Sequence, residues 1–421
     1  MTFSRRTLLA SGHSPLTSEP HETNALTRAV AAARARSRLV DVRGDAPRAP
    51  LRGRSATALY DLTVSNPTSA GLPYDAEAIG RALAKPASLV YEPDPLGLPH
   101  ARKVVAEDYA ARGITIAPSQ IAITASTSEA YAILFKMLCD PGDEVLVPVP
   151  SYPLLSWLAS FEGVVLRTYP LDYAGHWHVD LQALAGAIGP RTRAIVVVSP
   201  NNPTGSYLGK DELAAMLDLG LPIISDEVFA SYPLSMSGGV PGHRVDSALR
   251  ARHGLVFALS GLSKLAALPQ MKLGWIACGG DDARAAQAMA RLEIVLDAYL
   301  SVGAPVQHAL PELLRAGAVT ADAIRARTRS NLAAVRAAAL GAPSSTVLDV
   351  EGGWYAVLRV PETKSDEEWA LQLVEEDGVY VHPGYFFDMA NGAHLVVSLL
   401  TPEDELHEGM ARIAARVASE G

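Results

Sequence analysis

Between residues 121 and 278 the sequence alternates short, uniformly apolar runs with longer segments of helical pattern. The runs are Ile121-Ala122-Ile123-Thr124, Glu144-Val145-Leu146-Val147-Pro148, Ala194-Ile195-Val196-Val197-Val198, Pro222-Ile223-Ile224-Ser225, Leu255-Val256-Phe257-Ala258-Leu259 and Leu273-Gly274-Trp275-Ile276-Ala277-Cys278. Each is long enough for one strand and has no polar face. A strand that is apolar on both sides needs cover on both sides. The pattern therefore predicts an α/β domain around a mostly parallel, doubly wound sheet. Helices expected near Ser128 to Leu138 and Lys210 to Leu217 supply part of that cover. Ligands of such sheets gather at the carboxyl ends of the strands, and candidate chemistry is sought there.

The flanks read differently. A helix is expected over Asn24 to Arg38, and a short apolar run over Leu59 to Val64 ends in the turn Ser65-Asn66-Pro67-Thr68. Helices follow at Ala76 to Leu83 and Pro99 to Ala111, with the loop Tyr91-Glu92-Pro93-Asp94-Pro95-Leu96-Gly97 between them. Beyond about residue 283 the pattern is helical to roughly 340, and then strands appear at Trp354 to Val360 and His394 to Leu399. A last helix after Thr401-Pro402 has Leu406, Met410, Ile413 and Val417 on one face. This predicts a smaller α+β domain built from the N- and C-terminal segments, with divisions at 1–70, 71–300 and 301–421. His176-Trp177-His178 reads as a polar turn without metal spacing, and Glu375-Glu376-Asp377 as a solvated face. Gly238-Gly239 and Gly279-Gly280 lack the strand-to-helix context of a dinucleotide site and read as loops.

A chain of 421 residues can bury a large core in two or three domains. Its formal charge of −9 argues against nucleic-acid binding and leaves no polybasic membrane patch. No apolar stretch approaches membrane-spanning length. Ser4-Arg5-Arg6-Thr7-Leu8-Leu9 resembles the start of a twin-arginine export signal, but Ser11-Gly12-His13-Ser14-Pro15 follows where a longer apolar region belongs. Cys139 and Cys278 form neither a disulfide framework nor a metal motif, so a reducing cytoplasm is the expected location.

Four stretches carry candidate chemistry. Ser260-Gly261-Leu262-Ser263-Lys264 is a small-residue turn between two apolar runs, and it projects one amine from rigid backbone. Desolvation would lower that amine's pKa and make it a nucleophile toward an aldehyde, although a surface loop lysine has the same local sequence. Ser126-Thr127-Ser128-Glu129 opens a helix. It has capping-box spacing, and its N–H groups and hydroxyls could cradle a phosphate. Pro200-Asn201-Asn202-Pro203-Thr204-Gly205 locks a turn that fixes the Asn202 amide, as an ordinary Asn-Pro turn also would. Asp226 ends an apolar strand, where a carboxylate needs a cation or strong donor unless it lies at the surface.

Taken together and in this order, Asn202-Pro203-Thr204-Gly205, Asp226 and Ser263-Lys264 resemble the fold-type I pyridoxal-phosphate enzymes, specifically the class I/II aminotransferases. The resemblance runs from about Leu62 to the C-terminus. It implies that Lys264 forms the aldimine with pyridoxal 5′-phosphate, that Asp226 pairs with the protonated ring nitrogen, and that Asn202 donates to the ring's O3′ oxygen. It further implies that Tyr152 stacks on the ring and that Ser126, Thr127 and Ser128 hold the phosphate. Tyr91 would reach the phosphate of a neighbouring subunit, which implies a homodimer with shared sites.

The chain also departs from the family pattern. Phe229 stands where a tyrosine usually binds O3′, and Gly261 where a phosphate-binding serine is common, leaving Ser260 and Ser263 as substitutes. Lys272 replaces a phosphate-binding arginine, keeping the charge but losing the bidentate fork. The Tyr91–Gly97 loop is one residue longer than usual, and Ser65 replaces a glycine near the substrate. In Leu395-Val396-Val397-Ser398 the substrate-carboxylate arginine falls at Val396. Arg359 is the candidate replacement, with a solvated strand-end arginine as the other reading.

The expected function is transamination between an amino acid or amine and a 2-oxo acid. A pyridoxal-phosphate lyase or decarboxylase would bind the cofactor with the same residues. A non-catalytic cofactor-binding regulator is disfavoured, because the segment before Leu62 lacks the room and the basic helix pair of a DNA-binding domain.

Overall fold

The computed structural model describes residues 24–41, 59–235 and 239–420. The Ser4–Leu9 segment and Gly238 lie outside the described residues. Among the described residues fourteen strands follow in chain order: β1 Tyr60–Asp61, β2 Ile121–Thr124, β3 Glu144–Val149, β4 Val165–Tyr173, β5 Trp177–Val179, β6 Thr192–Val198, β7 Ile223–Asp226, β8 Leu255–Gly261, β9 Gly274–Gly280, β10 Thr346–Val347, β11 Tyr355–Val360, β12 Val379–Tyr380, β13 His382–Pro383 and β14 Ala393–Ser398. They divide between two units, one of the described residues within 71–325 and 351–353, the other of the described residues up to 70, 326–350 and 354–420. Residues 301–325, expected in the C-terminal domain, cluster with the larger unit. The division falls inside one continuous helix, Ala304–Leu340, where the sequence has no punctuation to mark it.

The larger unit is organised by an eight-stranded sheet of order β2-β9-β8-β7-β6-β3-β4-β5. The pairs β3–β4, β3–β6, β6–β7 and β7–β8 are parallel. β9 runs against both β2 and β8, and β5 runs against β4. Both faces are covered, as uniformly apolar strands require. On one side Val145, Val196, Ile224, Phe257 and Ile276 pack with Ile133 and Leu134 of the helix Thr127–Leu138 and with Leu292. On the other, Ile195, Ile223 and Val256 meet Leu213 and Met216, while Ile121, Ala258 and Trp275 meet Tyr109 and Leu310. His176-Trp177-His178 is not simply a polar turn: Trp177 and His178 belong to β5, and Trp177 is buried, with its carbonyl accepting from Arg244 at 2.8 Å.

Residues 351–353 rejoin this unit as a short clip on the Asn202–Gly205 turn. Gly352 N–H donates to Gly205 O at 2.9 Å, Leu234 N–H to Glu351 O at 2.8 Å and Gly353 N–H to Tyr232 O at 2.9 Å. The buried Arg244 binds Glu351 Oε1 through Nε at 3.0 Å, and Glu351 Oε2 accepts from Tyr207 N–H at 3.0 Å. Gly352 is needed there, since a Cβ would lie 2.7 Å from the Tyr207 ring.

The smaller unit contains a sheet of order β10-β11-β14-β13 and the parallel pair β1–β12. The helix Glu403–Glu420 buries Leu406, Met410, Ile413 and Val417, the face predicted from the sequence. Asn331 ties this unit together by donating to Leu399 O and Thr401 O, each at 2.8 Å.

Candidate active site

Strand direction gathers the candidate residues of the larger unit along one edge of its sheet. In register, Thr124 pairs with Gly274 and Gly274 with Gly261, so the ends of β2 and β8 flank the start of β9. Ser126–Ser128 follow β2, Tyr152 follows β3, Asn202 follows β6, Asp226 closes β7 and Ser263-Lys264 follow β8. Lys272 precedes the antiparallel β9 and so belongs to the same edge. Gly261 and Gly274 make the close approach possible: a Cβ on Gly261 would lie 2.8 Å from both Gly274 Cα and Leu273 O. That packing is a local reason for glycine where the resemblance expects serine.

Lys264 lies in the single helical turn Leu262–Leu265, with Nζ 5.4 Å from the centre of the buried Phe229 ring. Burial lowers its pKa to about 8, against the opposing pull of Asp226. Asp226 sits opposite Val198 of β6 and Leu259 of β8. Burial raises its pKa to about 6, while the Val228 N–H, the Tyr131 phenol and Lys264 favour the carboxylate. An amine and a carboxylate, both partly desolvated at adjacent strand ends, each have a pKa moved toward neutrality, as groups of a functional cleft often do.

The remaining candidates have varied surroundings. Ser126 caps the helix, its Oγ accepting from Glu129 N–H at 3.1 Å, and Glu129 Oε2 accepts from Ala125 N–H at 2.6 Å. Thr127 and Ser128 form the first turn, where N–H groups and the positive helix end face outward along the axis. Ser260 is buried, Ser263 half-buried and Lys272 exposed, the last in a left-handed conformation at φ 51°. Tyr152 is 42% exposed and Tyr91 81% exposed. The base of the Tyr91 loop is anchored, with Leu98 N–H donating to Gln307 Oε1 at 2.7 Å and Ile123 N–H to Leu96 O at 2.9 Å.

Ser65 and Arg359 belong to the smaller unit. Ser65 is half-buried in the loop after β1. Arg359 is exposed on β11, opposite His394 of β14. Val396, two residues further along β14 and therefore on the same face, is fully buried between Val357 and His382. Burial lowers the His382 pKa to about 4, so this imidazole is neutral at ordinary pH.

Residues 59–413 match the family model of aminotransferase class I and II. The chain belongs to this family. It is 26% identical over 388 residues to a glutamate-pyruvate aminotransferase of Haemophilus influenzae, covering 89% of this chain and 94% of that protein. It is 30% identical over 370 residues to an aspartate/prephenate aminotransferase of Thermus thermophilus, covering 86% and 91%. Among solved structures, an alanine aminotransferase of Pyrococcus furiosus superimposes with a TM-score of 0.79 at 23% identity, covering 99% of this chain and all of that one, which is likeness of fold. The protein is thus a pyridoxal-phosphate-dependent aminotransferase.

The residues of the larger unit fit that cofactor. On the same sheet edge as Lys264 and Asp226, Asn202 Oδ1 is buried without a hydrogen-bond partner among the described residues. Amide oxygen and nitrogen are distinguished only by their partners, so an oxygen substituent there would draw the amide nitrogen to itself. An orphaned amide end in this position is what a ring hydroxyl would satisfy.

Sequence reasoning missed three phenols in this aminotransferase. Tyr131, 2% exposed, donates to Asp226 Oδ2 at 3.2 Å. Tyr232, fully buried, donates to Lys264 O at 2.5 Å, and Tyr74 donates to Ala267 O at 2.7 Å. The last two fix the backbone on which Lys264 stands. Tyr131 carried a usable signal, a polar-tipped aromatic beside the apolar stripe of a helix that opens at a strand end. Tyr232 and Tyr74 are remote in sequence from Lys264 and gave none.

Proposed function

We propose that this aminotransferase attaches its cofactor at Lys264 and moves an amino group between an amino acid, or another primary amine, and a 2-oxo acid. The reading rests above all on the Lys264 amine and Asp226 carboxylate, partly desolvated at the ends of β8 and β7. When bound, pyridoxal phosphate supplies an aldehyde that joins to amines and a ring that accepts electron density from the substrate carbon. Lys264 Nζ has a pKa close enough to neutrality to take a proton from that carbon and return it. Asp226 holds the proton on the ring nitrogen, and Asn202 directs its amide at O3′. Phe229 packs beside Lys264, and Tyr152 covers a ring face. Ser126, Thr127, Ser128, Ser260, Ser263 and Lys272 bind the phosphate.

The names of the relatives, which act on glutamate, pyruvate and aspartate, support an amino-acid donor and a 2-oxo-acid acceptor. Val396 offers no charge to a carboxylate, and Arg359 is the nearest cation along that face of the small sheet. In this reading Arg359 clamps the acid, with Ser65 and Asn202 as further substrate contacts. The enzyme acts as a homodimer in which Tyr91 serves the partner's site. Leu89, Val90 and Tyr91, at 90%, 55% and 81% exposure, support that assembly, since a monomer leaves all three in water. Cys139 and Cys278 are free thiols, in keeping with a cytoplasmic setting. No helix among the described residues is long and apolar enough to cross a membrane.

Borohydride reduction followed by peptide mapping tests the attachment, with the label expected on Lys264. Rapid-mixing absorbance across a panel of amino acids and simple amines then identifies the donor by loss of the carbonyl-form cofactor band. A colourless purified protein, unlabelled at Lys264, overturns the reading.

A further inference from the structure

The Asp226 carboxylate is gripped at both oxygens. Oδ1 accepts from Val228 N–H at 3.2 Å, two residues along its own chain. Oδ2 accepts from the Tyr131 phenol, also at 3.2 Å, which comes from the second turn of the helix after β2. One backbone donor alone would leave the carboxyl free to rotate about it, whereas a second donor from another element fixes its plane. Each carboxylate oxygen still has a lone pair for a further donor.

We propose that Tyr131 is a positioning residue, whose phenol holds the Asp226 carboxylate in the orientation and the ionised state in which it meets the cofactor's ring nitrogen. The inference rests on the proposed pairing of Asp226 with that nitrogen. Packing alone does not call for a hydroxyl here, because a phenylalanine would fill the same space among Phe135 and its neighbours. The hydroxyl is committed as a donor: burial, and then the Asp226 charge, push the Tyr131 pKa well above its ordinary value, so it keeps its proton. Three further groups define the electrostatics. Lys264 faces Asp226 from the β8 side and favours the carboxylate, as does the Val228 N–H. Tyr169 of β4 acts electrostatically on Tyr131, but its own hydroxyl is spent on Val196 O at 2.7 Å. Tyr131 is thus the one phenol directed at the carboxylate among the described residues.

Removing this donor destabilises the charged form of Asp226 and raises its pKa further. A neutral carboxylic acid cannot hold a proton on the ring nitrogen by charge, so cofactor binding weakens as the pH falls. The loss is largest near pH 6 and fades toward pH 8, where Asp226 is ionised with or without the phenol. A purely structural contribution of Tyr131 would weaken binding equally at every pH.

The test is the dissociation constant of pyridoxal phosphate, measured by fluorescence titration of the cofactor-free full-length protein from pH 5.5 to 8.5, in wild type, Tyr131→Phe, Asp226→Asn and the double variant. The expected result for Tyr131→Phe is about tenfold weaker binding near pH 6, shrinking to about twofold at pH 8, as losing a hydrogen bond to a charged group implies. In the Asp226→Asn background the same change should have little further effect. Superimposable profiles for wild type and Tyr131→Phe, or an equal loss in both backgrounds, overturn the proposal. If Asp226→Asn itself binds cofactor like wild type at all pH values, the Asp226 pairing fails first, and the role of Tyr131 with it. Should Tyr131→Phe fold poorly, Tyr131→Leu in the same four-way comparison isolates the coupling, since the packing loss is then common to both backgrounds.

Discussion

The carboxyl edge of the large sheet and the β11–β14 face of the small sheet treat charge in opposite ways. At the first, an amine and a carboxylate are kept in partly desolvated surroundings and held there by hydrogen bonds from Tyr131, Val228 and, through the Lys264 backbone, Tyr232. At the second, the position where the family resemblance expects a cation is a fully buried valine between Val357 and His382, and the nearby arginine is exposed. The first region carries charge at Lys264, Asp226 and Lys272. The second has lost the group that ordinarily recognises an acid. The two regions thus differ in where charge is placed: desolvated at Lys264 and Asp226 in the one, solvated at Arg359 in the other.

The sharpest way to break this comparison is at Lys264. Lys264→Ala should lower turnover by roughly a thousandfold or more while the circular dichroism spectrum is unchanged, because the nucleophile and proton carrier are lost together. Turnover within tenfold of wild type would remove Lys264 from the chemistry. Next in size is Val396→Arg, which introduces the missing cation into a fully buried strand. The neutral His382 opposite it offers no counter-charge, so stability should fall by about 3 kcal/mol or more in a urea titration. A variant as stable as wild type would mean that the face opens to solvent and could receive a carboxylate.

Arg359→Ala addresses the substitute. A charge-assisted pair with an acid is worth about 1.5–3 kcal/mol, so KM for acid substrates should rise roughly 10- to 100-fold with kcat little changed. An unchanged KM for every active acid would leave Arg359 as a solvated strand residue. The smallest effect concerns pH and the cofactor-free protein. Asp226 has a folded pKa of about 6, above its unfolded value, so the folded state binds its proton more tightly. The contribution of this group is therefore full below about pH 4 and is lost as the pH rises through about 6. Comparing urea stabilities of wild type and Asp226→Asn should show this slope only in wild type, at about 1–2 kcal/mol for a partly buried group. Arg359→Ala should leave it intact, since the slope belongs to the other region.

Much of the large unit was legible because its central strands are apolar on both faces, whereas β4, with residues such as Arg167, Thr168 and Asp172, carries no such pattern. The placement of the motif residues on one sheet edge was legible because each closes or follows an apolar run. Trp177 was not: its three-residue strand is too short for periodicity, and its burial depends on Arg244, which is 67 residues away. The break near 325 was hidden because a helix continues through it. Tyr131 was missed because its hydroxyl finds its acceptor only once β7 brings Asp226 beside it. Gly261 looked like the loss of a ligand and proved to be a contact requirement between β8 and β9.

The clip at Glu351–Gly353 has a consequence for the order in which the protein can mature during synthesis. The Asn202–Gly205 turn receives hydrogen bonds from a segment almost 150 residues later, together with the ion pair of Glu351 and Arg244. A ribosome that has delivered the whole eight-stranded sheet has still not delivered the piece that closes this turn. Non-local contacts of this kind form late, so a nascent chain stalled before residue 351 would carry Lys264 and Asp226 but an unfinished seat for Asn202. If Asn202 contacts the cofactor as proposed, competence to capture it should arrive abruptly, after residue 353 is made, rather than accumulating as the sheet grows.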